Sequence, residues 1–93
     1  MTPKRLPKTN PQVLFTELAD GTGVLLHLDT KFYFTLNATG VIVWKSLGEA
    51  VADEDAIASR IEKEFRVDHA TALADVASML AEMLENELLV DTK

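Results

Sequence analysis

From Val13 to Leu36 apolar residues come in short runs rich in β-branched and aromatic types, and the runs are broken by Asp20-Gly21-Thr22-Gly23 and by Asp29-Thr30. Turn-forming residues between such runs predict a meander of three strands at roughly 12–18, 23–28 and 31–36. In the second, Val24, Leu26 and Leu28 alternate with Leu25 and His27; in the third, Phe32, Phe34 and Leu36 alternate with Lys31, Tyr33 and Thr35. Successive side chains of a strand point to opposite faces, so the expected apolar face holds the Val24 and Phe34 sets and the other face is mixed. A sheet patterned in this way is antiparallel and covered on one side by helices.

After Leu36 the apolar period lengthens from two to about 3.6, the period of a helix. Asn37 can cap a first helix that carries Val41, Trp44 and Leu47 along one side with Ile42 beside them, and Gly48 can end it. Asp53-Glu54-Asp55 puts three carboxylates where a helix macrodipole favours them, ahead of Ile57, Ile61 and Phe65 at spacing four. Asp68 then caps a third, longer helix with a stripe of Leu73, Val76, Leu80 and Leu84, after which Leu88-Leu89-Val90 can pack back as a short extended piece. The expected class is α+β, winged helix-turn-helix-like, a three-stranded antiparallel sheet followed by three helices (βββααα).

Composition narrows the function. The chain has 93 residues, 47% hydrophobic and 26% charged, a balance that fits one globular domain and neither a disordered nor a collagen-like chain. With no Cys, the fold has no disulfide, zinc knuckle or thiol nucleophile to draw on. No apolar run reaches the ~20 residues of a membrane span, and none follows the first basic residues as a secretory signal needs, so a cytoplasmic address is expected. Residues 1–11 hold Lys4, Arg5 and Lys8, all three prolines and no acid, and read as a flexible basic tail; residues 12–93 form the single domain. The formal charge is −6 overall, and residues 12–93 alone carry 6 basic against 15 acidic side chains. Such a balance repels nucleic acid and acidic membranes at long range and leaves a protein, a peptide or a small molecule as the partner.

No motif for chemistry stands out. His27 lies in a strand and His69 at a helix start, neither with convergent ligands, so both are expected to be structural or merely exposed. Asp53, Glu54 and Asp55 are adjacent on a helix and do not converge on one point, which speaks for a solvated helix start rather than a metal cluster. Gly21-Thr22-Gly23 lacks the following helix that a phosphate loop requires and is read as a hairpin turn. Met79 and Met83, four apart on the third helix, suit core filling first and an adaptable binding surface second. The expectation is a protein without catalytic residues, metal or cofactor.

Three helices beside a small sheet raise DNA binding as an alternative, with the third helix as the reading helix. Between Asp68 and Glu87 that helix carries Asp68, Asp75, Glu82, Glu85 and Glu87 and no Lys or Arg. Binding to a duplex rests on cations that meet its phosphates, so a groove of this shape is expected to serve something other than DNA, and a winged-helix transcriptional regulator or protein-interaction module stands as the alternative reading.

The stretch Asp29-Thr30-Lys31-Phe32-Tyr33-Phe34-Thr35-Leu36-Asn37-Ala38-Thr39-Gly40 resembles the PqqD family, whose members carry an aromatic pair, then Leu-Asn, small residues and a Gly or Ala opening a helix. The resemblance continues through Val41-Ile42-Val43-Trp44 with Leu47, Glu64-Phe65-Arg66-Val67, and Asp75-Val76 leading through Leu80 and Leu84 to Leu88-Leu89, over residues 12–90. It implies a stand-alone recognition element that binds the leader of a ribosomally made precursor peptide and presents it to a modifying enzyme, such as a radical S-adenosylmethionine (SAM) protein or a leader peptidase. Products in the family include pyrroloquinoline quinone, lasso peptides and related compounds. The resemblance further implies that the leader adds a strand at Lys31, Phe32, Tyr33, Phe34 and Thr35, with its apolar side chains against Val76, Met79, Leu80 and Met83 of the third helix. An exposed strand edge supplies unpaired N–H and C=O groups for that mode of binding, and the same edge leaves a strand-paired homodimer open.

Overall fold

The structure is a computed structural model that describes residues 6–49 and 53–90. In chain order these form β1 (Lys8–Thr9), β2 (Val13–Glu17), β3 (Gly23–His27), β4 (Tyr33–Leu36), α1 (Ala38–Gly48), α2 (Glu54–Phe65), α3 (His69–Glu85) and β5 (Leu89–Val90). The antiparallel sheet β2-β3-β4 followed by three helices is the expected layout.

Local chemistry sets the element boundaries. In the β2–β3 turn Asp20 accepts hydrogen bonds from the Thr22 N–H at 3.0 Å and the Thr22 hydroxyl at 2.6 Å, and Gly21 takes a φ of 89°, a left-handed conformation that glycine adopts without strain. These two bonds also hold the Asp20 carboxyl below its ordinary pKa. Gly23 opens β3 because the Phe15 ring lies over it: a Cβ there would stand 2.6 Å from Phe15 Cε1. Each helix has a side-chain cap. Asn37 accepts from the Gly40 N–H, Asp53 from the Ala56 N–H and Asp68 from the Thr71 N–H, at 2.8 to 2.9 Å. Arg66, with φ 52°, closes α2 in the left-handed region, and the short link to Asp68 folds α3 back against α2.

The structure departs from the sequence reading in four places. Residues 31–32 are not strand: Lys31 turns with φ 66°, and β4 begins at Tyr33. The core face of β3 holds Leu25 and His27, and the Val24 and Leu26 set faces the other way. The register explains it, since Leu25 pairs with Phe34 and Gly23 with Leu36, and cross-strand partners share a face. Phe65 and Leu84, placed in core stripes by spacing, are exposed, and α3 buries Ala72, Val76, Leu80 and Met83 instead. Part of the expected tail belongs to the fold: β1 pairs antiparallel with β5, Asn10 N–H donates to the Leu88 carbonyl at 3.0 Å, and Leu6 packs on the core. The other tail residues, 1–5, lie outside the described residues.

The core lies between the sheet and the helices. Val13 and Leu25 from the sheet meet Val43, Trp44 and Leu47 of α1, Ile57 and Ile61 of α2, Val76, Leu80 and Met83 of α3, and Leu88 and Leu89. Phe15 tilts against Trp44 with ring centroids 6.3 Å apart, tying β2 to α1. Helix α1 is buried on more than the expected side, Val43 and Ser46 included, because the sheet, α2, α3 and β1 all pack around it.

Candidate peptide-binding groove

Both histidines hold structure together. His27 is buried, and its Nδ1 accepts from the N–H groups of Asp29 and Thr30 at 3.2 and 3.4 Å, so the ring caps the turn that leads into β4. His69, the first residue of α3, bonds Asp55 through Nε2 at 2.8 Å and Glu62 through Nδ1 at 2.5 Å, linking α3 to α2. Those two carboxylates raise its pKa above the ordinary value. Among the described residues no group of three or more His, Asp or Glu is arranged to hold a metal ion. None of these residues opens a site.

The opening lies beside β4. His27 N–H donates to the Phe32 carbonyl at 3.0 Å. Backbone groups along an antiparallel strand alternate in direction, so Phe34 and Leu36 turn theirs to β3 while the N–H and C=O of Tyr33 and Thr35 face outward. Among the described residues no strand pairs with that second edge. Alongside it runs a cleft of about 420 Å³ between β4 and the C-terminal half of α3. Phe34 and Leu36 form one wall, Met79, Glu82, Met83 and Asn86 the other, with Leu88, Asn37 and Gly40 around them. The cleft therefore combines four outward backbone groups with a mixed lining in which Phe34, Leu36, Met79, Met83 and Leu88 supply the apolar part.

The expected site residues divide in three. Tyr33, Phe34, Thr35, Met79 and Met83 line the cleft. Lys31 and Phe32 precede it in the turn, exposed and outside the strand. Val76 and Leu80 sit on the same helix, but their side chains are turned into the core, so they support the wall from behind. Met83 does both, being 4% exposed within the core while its remaining surface faces the cleft. Leu36, Asn37, Gly40, Glu82, Asn86 and Leu88 were missed as lining. The signal for two of them was present, because Glu82 and Asn86 follow Met79 by three and seven residues and so share its helix face.

A second cleft, of about 490 Å³, lies between α1 and α2 near Lys45, Arg60 and Phe65. Two ion pairs cross it, Lys45 with Glu17 at 2.5 Å and Arg60 with Glu49 at 3.0 Å. No helix among the described residues is long and apolar enough to cross a membrane.

A three-stranded sheet backed by three helices, with one strand edge open onto a cleft, defines a winged helix-turn-helix-like α+β module. The chain belongs to the PqqD family: the family described as coenzyme PQQ synthesis protein D matches residues 22–89. Two solved structures are similar to it. TbiB1, in complex with the TbiA(beta) leader peptide, is 34% identical, with a TM-score of 0.78 over 88% of this chain and 93% of that one. A lasso peptide synthetase B1 complexed with the leader peptide shares the fold at 21% identity, with a TM-score of 0.80 over 91% of this chain and 98% of that one. No curated protein matches the chain.

Proposed function

We propose that this protein is a non-catalytic adaptor that binds the leader of a ribosomally made precursor peptide as a fourth strand along β4. It presents the precursor to a modifying enzyme, a radical SAM protein or a leader peptidase, in the cytoplasmic maturation of a lasso-type, pyrroloquinoline quinone-type or related product. The observation that carries the reading is the open edge of β4 facing the Met79 and Met83 wall. Membership of the PqqD family and the 34% identity to TbiB1, itself in complex with a leader peptide, support it.

The energetics suit a short extended segment. Ordering four residues of a disordered leader costs about 4–8 kcal/mol, at 1–2 kcal/mol each. Burying an apolar anchor contributes about 1.5–3 kcal/mol, so two or three anchors offset that cost. Bonds to the N–H and C=O of Tyr33 and Thr35, at about 0.5–1.5 kcal/mol each, then tip the balance toward binding. The exposed acids Asp75, Glu82 and Glu85 on α3 oppose the competing DNA reading, because a phosphate backbone would meet carboxylates on the would-be reading helix.

The test is a titration of isotope-labelled protein with the leader of the precursor encoded beside this gene. Amide signals of Tyr33 to Leu36 and of Met79 to Asn86 should shift together. No shift with any neighbouring precursor, or turnover of the peptide by the isolated protein, overturns the reading.

A further inference from the structure

Among the described residues Glu82 is the one charged side chain that lines the cleft. Its carboxylate has no hydrogen bond or ion pair among the described residues; the bonds near it run from the Asn86 amide and backbone to the Glu82 carbonyl. The other acids of α3, Asp75 and Glu85, are exposed and outside the cleft. The last turn of α3 also carries no basic residue; its final carbonyls are capped by Asn86, Glu87 and Leu88 N–H groups, none of which brings a positive charge. An unpaired carboxylate thus stands in the wall of a cleft of mixed polar and apolar lining, with no cation among the described lining residues to answer it.

We infer that Glu82 makes the groove selective for a peptide that carries a Lys or Arg two positions from an apolar anchor. This rests on the reading of the groove as a peptide site. Met79 and Glu82 are three residues apart on α3 and so are neighbours on one face, with about 5–6 Å between Cβ atoms. In an extended peptide, side chains two positions apart share a face and stand about 6.6 Å apart. An anchor seated between Phe34 and Met79 therefore brings the second residue along on the same face to Glu82. The residue between them points to the far side of the sheet and is free to vary. A cation at that second position meets the unpaired Glu82 carboxylate, and an acid there meets it as like charge.

The test needs no known ligand. A phage library of random peptides about twelve residues long is selected on the immobilised full chain and on its Glu82→Gln, Glu82→Lys and Thr35→Pro variants, each checked for folding by circular dichroism. The wild type should enrich Lys or Arg at an offset of two from an apolar residue, Glu82→Gln should lose that bias, and Glu82→Lys should replace it with Asp or Glu. An enriched peptide, synthesised with a fluorophore, should bind Glu82→Gln about three- to fivefold more weakly, with the difference shrinking in high salt. Apolar-anchored peptides enriched without a cation, or with a bias that Glu82→Gln keeps, overturn this inference and leave the groove reading standing. No peptide that prefers wild type to Thr35→Pro overturns the groove reading, and this inference with it.

Discussion

His69 occupies a position where a cation is ordinarily disfavoured, at the positive end of the α3 macrodipole. Asp55 and Glu62, both on α2, outweigh that and raise its pKa; Asp68, the α3 cap beside it, is held below its own ordinary value by its bonds to Thr71. A His whose folded pKa exceeds its unfolded value of about 6.5 adds stability that is complete below that unfolded value and is lost as pH rises through the folded one. The His69→Gln variant should therefore melt below wild type at pH 5 to 6, and the gap should narrow toward pH 9. A gap that stays constant over that range would mean that hydrogen bonds of the neutral ring are all that matter. Salt should shrink the gap at low pH as well, because the ring and its partners are partly exposed.

Element by element, what could be read in advance was what local chemistry decides. Asn37 and Asp68 were legible as caps, and Asp53 as part of an acidic helix start, because each needs only its own helix start, and the three-strand meander because its turns are made by Asp20 to Gly23 and Asp29-Thr30. The core face of β3 was not, since both alternations in Val24 to Leu28 are largely apolar and only pairing with Phe34 selects Leu25. The α3 stripe was off by one position at its end for a related reason: Met83 and Leu84 are both apolar, and packing against Leu88 and Leu89 buries the first. That placement sharpens what substitutions will do. Met83→Glu puts a charge into the core and should unfold the protein, whereas Met79→Glu, on the half-exposed face of the cleft, should leave the fold intact and weaken leader binding at least about tenfold, or 1.4 kcal/mol. On the opposite wall Thr35→Pro removes one outward N–H and no bond to β3. An edge strand tolerates proline there, so affinity should fall while the melting temperature holds within a few degrees. Equal loss of stability in the Met79 and Met83 variants would place both side chains in the core and remove the α3 wall.

At the scale of the whole molecule, β1 and β5 pair beside Leu88, a lining residue of the groove. Two-residue strands 80 positions apart leave no periodicity in a sequence, which is why residues 8–9 read as tail although they pair with 89–90. Their position gives them a task. Asn10 bonds the Leu88 carbonyl through its N–H and the Glu87 carbonyl through its side chain, and Leu88, held in this way, forms one end of the cleft. Leu88 and Leu89 are almost fully buried, partly under this segment, and Leu6 adds its own side chain to the same core. Removing residues 1–11 should therefore lower stability by about 2–4 kcal/mol, from one half-buried Leu, newly exposed surface on Leu88 and Leu89, and several backbone bonds. Leader affinity should fall with it, because the C-terminal end of α3, where Glu82 and Asn86 stand, loses its brace. Thermal melts and leader titrations of the truncated and full chains measure the two effects. A basic tail acting by charge alone predicts the reverse pattern: an unchanged melting temperature, and an affinity that differs between the two chains only at low salt.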